Sequence, residues 1–161
     1  MTSEQGSFEL GTSGFELGTD GPRSILVGVD GSTTSLRAAS YAAGLARRQG
    51  ARVTAVFVGP IASLAAATPA GAGVAVAQHE AFSQTAEEMR QRAEEAAQEL
   101  GIAITFIAAE GDPFIELRRI ADETRADAVV VGASAHAGHR LIGSLAVRLV
   151  RAGRWPVTVV P

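Results

Sequence analysis

The chain of 161 residues contains no cysteine, so it forms no disulfide, offers no thiolate nucleophile and holds no zinc site of the cysteine type. It also lacks lysine: all fourteen basic residues are arginine, which removes the Walker-type phosphate lysine from consideration. A formal net charge of −3 gives no long-range attraction to nucleic acid. Aromatic residues make up only 5% of the chain, so its 47% apolar share rests on Ala and Val, which suits close packing of helices on a sheet. The longest uncharged run, residues 61–78, carries Pro69, Gly71 and Gly73 and is a poor membrane span. No basic region followed by an apolar stretch opens the chain. With the missing cysteine, this fits a reducing cytoplasm, and a cytoplasmic protein without membrane contact is expected.

The length suits one domain with a single sizeable core. Residues 1–22 stand apart from it: Phe8-Glu9-Leu10-Gly11-Thr12 recurs as Phe15-Glu16-Leu17-Gly18-Thr19. Their Gly, Ser and Thr content reads as a flexible extension. A docking arm that presents Phe8, Leu10, Phe15 and Leu17 to a partner surface or sheet edge is the alternative. Residues 23–161 form the expected domain.

Within that domain, apolar β-branched runs alternate with helical patterns. Strands are expected at 24–30, 52–58, 102–107, 126–131 and 155–161. Helices are expected at 34–49, 78–100, from Pro113 onward, and to about Ala152 with Ser144 as its cap. Ser32, Thr33 or Thr34 can cap the first helix, and Asp112-Pro113 supplies a cap followed by proline at the first helical position. The segment 61–77 reads as a mobile connection. Such alternation predicts a parallel sheet with right-handed crossovers, a doubly wound α/β/α sandwich of five strands in the order 3-2-1-4-5. The switch point then lies between Asp30 and Gly132, where ligands bind in open α/β sheets. A strand that ends in glycine and re-enters a helix at Gly143-Ser144 leaves backbone N–H groups free for an anion.

Ile25-Leu-Val-Gly-Val-Asp30-Gly-Ser32, Gly111-Asp-Pro113, Ala126-Asp-Ala-Val-Val-Val-Gly132 and Gly143-Ser144 followed by Trp155-Pro-Val-Thr-Val-Val160 together resemble the universal stress protein family. The resemblance covers about Ser24 to Pro161. It implies the five-stranded fold of adenine nucleotide alpha hydrolase-like proteins, dimerisation and, in one branch of the family, binding of ATP or AMP, with Mg2+ accompanying ATP. That branch carries G-x2-G-x9-G-[S/T] after the fourth strand. Here Ala135 stands where the middle glycine is expected, and Gly143 follows Gly132 by eleven positions instead of thirteen.

Carried over residue by residue, the resemblance places Asp30 at the adenine or ribose end, Val58 beside the base and Gly132 next to ribose and phosphates. Gly143 and Ser144 become phosphate donors. Arg140, in the altered loop, can neutralise phosphate, and Arg148 can assist it. Each position also admits a plain structural role: Asp30 as a turn cap, Gly132 as relief of crowding, Ser144 as a helix cap.

No catalytic residue is assigned. There is no Gly-x-Ser-x-Gly elbow, and Asp30-Gly-Ser32 falls short of the Ser-Gly-Gly-x-Asp-Ser loop of ATP-pyrophosphatases. No metal is assigned either, since His136 and His139 lack a third ligand nearby. His79 has no identifiable partner and reads as a surface residue. A non-catalytic stress-response domain is expected, with a nucleotide-free dimeric adapter as the alternative. The last strand is apolar on both faces and reads as a sheet edge, so a homodimer through it is expected unless the N-terminal segment covers it. A further protein partner stays unidentified, and none of the expected partners is a nucleic acid.

Overall fold

In the computed structural model, residues 21–61, 69–134 and 143–161 are described. Along the chain run β1 (Ser24–Val29), α1 (Thr33–Gln49), β2 (Arg52–Gly59), α2 (Pro69–Leu100) and β3 (Ile104–Glu110). There follow α3 (Pro113–Glu123), β4 (Ala128–Gly132), α4 (Ser144–Ala152) and β5 (Val157–Val160). The strands form one parallel sheet in the order β3-β2-β1-β4-β5, as the alternation predicts. The duplicated N-terminal segment lies outside the described residues.

Local chemistry sets most element ends. Ser32 caps α1, its Oγ accepting from the Ser35 N–H at 3.2 Å, and Gly50 closes that helix at φ 64. Asp112 caps α3 through the Ile115 N–H at 3.0 Å, with Pro113 next. The strands β4 and β5 start two residues later than expected, at Ala128 and Val157, and two further expectations need correction. The helix α2 starts at Pro69 rather than Gln78, because proline is at home in the first helical turn and alanine-rich sequence offsets Gly71 and Gly73. The third strand starts at Ile104, because the Ile102 N–H still donates to Ala97 O of α2 at 3.2 Å. It then runs on to Glu110, paired with Gly59 of β2.

The sheet is covered on both faces, with period two along β1. Leu26 joins Val56, Leu117, Ile120, Val129 and Leu149 in the core beneath α3 and α4. Ile25 and Val27 join Ala38, Ala42, Ala46 and Val130 beneath α1. Burying a side chain such as Leu149, Ile120 or Leu26 contributes about 1.5–3 kcal/mol each. The helix α2 lies chiefly on β3. It is seated there by Phe82, whose ring stacks on Phe57 at 5.3 Å over the bare backbone of Gly59. Among the described residues no helix is long and apolar enough to cross a membrane.

One carboxylate ties β1 and its neighbour β4 together at their starts. Asp127 Oδ2 accepts from the backbone N–H groups of Arg23 and Ser24, both at 2.9 Å, and the Asp127 N–H donates to Ser24 O at 2.8 Å. Ser24 is 2% exposed, so its N–H has no water to turn to. Replacing Asp127 by Ala is expected to lower unfolding free energy by about 1–3 kcal/mol. Urea denaturation checks it; a midpoint equal to that of the parent chain would show the clamp to be unimportant.

Candidate functional site

Where β1 and β4 end, the chain leaves the sheet in opposite directions, toward α1 on one face and toward α4 on the other. A crevice of about 220 Å³ opens between these exits. Asp30, Val58, Gly132, Gly143 and Ser144 all line it, so five expected site residues converge. Arg140 lies outside the described residues, as do Ala135, His136 and His139.

Asp30 follows β1 and is exposed at the crevice mouth. Its Oδ1 accepts from the Ser32 N–H at 2.9 Å, and its own N–H donates to Ser35 Oγ at 3.2 Å. This turn passes through Gly31 at φ 81, a conformation that suits glycine. Partial burial pushes the Asp30 carboxyl up, but hydrogen bonds from Ser32 and Ser35 outweigh it and hold the group below its ordinary value of 3.8. Asp30 therefore stays ionised at neutral pH, an acceptor only.

The two motif glycines have packing causes of their own. A Cβ on Gly132 would stand 2.6 Å from Thr34 C and 2.7 Å from Ser35 N, inside the first turn of α1. A Cβ on Gly143 would stand 2.7 Å from Ser134 Cβ. Gly132 thus admits α1, and Gly143 brings the far end of the loop back against its near end.

Ser144 departs from its expected role. It is the first residue of α4, Gly143 occupies the cap position, and no side-chain cap bond is made there. The first helical bond runs from the Val147 N–H to Gly143 O at 3.1 Å. The opening turn, Ser144 to Ala146, thus meets the crevice with its N–H groups uncapped by any described side chain, at the positive end of the helix dipole. Opposite stands an apolar wall of Val56, Val58, Leu117 and Val131, with Pro113 at its edge. Sequence reading named only Val58. Val56 carried a signal, two residues earlier on the same strand face.

Arg148 is held away from its expected phosphate role. Its Nη1 pairs with Asp112 Oδ2 at 3.0 Å, and its guanidinium lies 4.3 Å from the centroid of the Phe114 ring. The Asp112 carboxyl is held below its usual range by Arg148 first and by the Ile115 N–H next. His79 has a partner after all, Glu110 Oε1 at 3.2 Å. Among the described residues no group of three or more His, Cys, Asp or Glu could hold a metal ion.

A family model described as the universal stress protein family matches residues 22–161. The chain belongs to the universal stress protein family. It is 29% identical to Universal stress protein MJ0531 of Methanocaldococcus jannaschii over 140 residues, which cover 86% of this chain and 81% of that one. Universal stress protein UspA from Lactobacillus plantarum superposes with a TM-score of 0.73 at 26% identity, over 86% of this chain and 97% of that one. A universal stress protein solved in complex with cAMP gives a TM-score of 0.63 at 25% identity, over 86% and 96% of the two chains. The doubly wound α/β fold is thus shared with these solved neighbours.

Two outcomes are expected from the site's own packing. Gly132→Ala drives a methyl into the α1 backbone and should cost about 1–3 kcal/mol in chemical denaturation; a neutral substitution would show that α1 has room to move. Because the folded state holds the Asp30 pKa below its unfolded value, the unfolded chain binds more protons on acidification. The stabilisation is complete above the unfolded value and is lost as pH falls through the folded one. Thermal denaturation between about pH 2 and 6 should therefore show a shallower acid-side loss of Tm in Asp30→Asn than in the parent chain. Parallel curves would contradict this.

Proposed function

We propose that this universal stress protein is a non-catalytic regulatory domain that binds an adenine nucleotide, ATP or AMP, in the β1/β4 crevice. The observation that carries this reading is the uncapped first turn of α4 facing an ionised Asp30 across an apolar wall. The chemistry orients the ligand. Asp30 repels phosphate and accepts from a ribose hydroxyl or the adenine amino group, Val56 and Val58 flank the base, and Ser144 with its neighbouring N–H groups receives phosphate. Arg140 belongs by sequence to the same connection and adds a guanidinium for phosphate. With ATP, Mg2+ would accompany the phosphates, which need no all-protein cage for it.

Binding of cAMP by a related protein supports an adenine ligand. A regulatory role follows if the nucleotide binds one conformation better than another. Among the described residues, the lining offers serine and threonine hydroxyls and the Asp30 carboxylate. Two observations favour the second reading, a nucleotide-free dimeric adapter. Ala135 replaces the middle glycine of the family's phosphate loop, and packing alone accounts for Gly132 and Gly143.

Calorimetric titration of nucleotide-stripped protein with ATP and Mg2+, AMP and cAMP decides between them. Saturable binding, abolished by Asp30→Ala, weakened about tenfold or more by Ser144→Ala and tightened by Ala135→Gly, is expected. No saturation at millimolar ligand would leave the adapter.

A homodimer through β5 is part of the same proposal. Pro156 O and Val160 O accept from the N–H groups of Val129 and Ala133, at 3.0 and 2.7 Å, and in a parallel ladder the residues between them alternate. The backbone groups of Val157 and Val159 therefore face the open edge, while their side chains pack on the α3/α4 core. Val159→Pro removes one outward N–H and spares the β4 ladder. Light scattering should then report monomers; an unchanged dimer would move the interface elsewhere.

A further inference from the structure

On the opposite face of the sheet from α3 and α4 lies a second crevice, of about 290 Å³, between α1 and α2. It exists because α1 sits over β1 and β4 while α2 sits on β3, so the two helices leave a gap above β2. Small residues keep the gap open. The helix α1 presents Ala39 and Ala43 to it, and α2 presents Ala93 and Ala96. Val29, Ile104 and Phe106 form its half-buried floor. Leu36 and Leu100, 42% and 37% exposed, also line it.

The polar groups of this crevice are few. Ser40 and Arg92 line it, no carboxylate does, and among the described residues Arg92 takes no ion-pair partner. This contrasts with Arg90 two residues earlier, which pairs with Glu87 and Glu94. Aliphatic walls with one unpaired cation match a ligand that has an unbranched apolar tail and a single anionic head.

We propose that the α1/α2 crevice is a binding site for an aliphatic monocarboxylate, its chain lying along the alanine walls and its carboxylate meeting Arg92. The site is separate from the nucleotide crevice and does not depend on it. Each methylene buried contributes about 0.8 kcal/mol, which corresponds to roughly fourfold in Kd. A charge-assisted bond to Arg92 adds roughly tenfold or more.

The test is calorimetric titration of the full chain with straight-chain carboxylates from six to twelve carbons (about one methylene per step), kept below micelle formation. Kd is expected to fall about fourfold per added carbon until the crevice is full. The alkylammonium ion of equal length should bind at least about tenfold more weakly than the acid. Arg92→Gln, on an exposed position, should weaken the acid about tenfold while leaving the matched alcohol unchanged. Ala93→Leu, with its fold checked by circular dichroism, should remove binding of both by filling the gap.

Absence of saturation, equal affinity for acid and ammonium, or indifference to Arg92→Gln would overturn the proposal. So would acid binding that appears only when residues 1–20 are deleted, which would give the crevice to the chain's own N-terminal segment. Self-association lost in Ala93→Leu, without acid binding in the parent, would give it to a second copy and likewise overturn it.

Discussion

The pairing of β1 with β4 is the constraint on which the rest depends. These strands are distant in sequence, and their register places Ile25 opposite Ala128 and Val27 opposite Val130. The Asp127 carboxylate fixes this pairing at the strand starts, where a slip by one residue would exchange the two faces of the sheet. Once the strands are side by side, the crossovers can lead only outward from them, to β2 and β3 on one side and β5 on the other. Neither helix flanking the crevice then has freedom to approach from another direction.

Glycine in this fold illustrates how one residue type serves packing and binding without distinction. At Gly132 the absent side chain is occupied by the α1 backbone, and at Gly143 by Ser134. A motif reading assigns both to phosphate, yet the chain would need both with no ligand present. What sets the crevice apart physically is therefore the start of α4, which no described side chain caps. The other caps described here, Ser32 and Asp112, satisfy their first turns from within. The difference concentrates positive potential where α4 begins, opposite a carboxylate kept ionised by its own turn.

The sheet order was legible because runs of Val, Ile and Ala alternate with amphipathic stretches, and because Ser32, Asp112 and Pro113 mark helix starts by local chemistry. Asp30, Val58, Gly132, Gly143 and Ser144 were legible as neighbours for the same reason: topology alone brings the strand ends together. What escaped depends on long-range contacts. Pro69 reads equally as a breaker or a first helical residue, and packing against β3 decides for the helix. Arg148 was expected at phosphate, but Asp112 lies 36 residues away in sequence and only its position in space reveals the pair. The His79 contact with Glu110 is hidden in the same way, and the gap above β2 follows from how far apart two helices settle.

The meeting of Gly143 with Ser134 also bears on loop length. Because Gly143 packs against Ser134, the two ends of the connection between them meet and close a ring there. Growing that ring from the present eight residues, 135–142, to the ten that the family's phosphate motif implies would cost about 0.2 kcal/mol in closure entropy. By closure entropy alone, a change of two residues in this stretch therefore costs the sheet beneath it little.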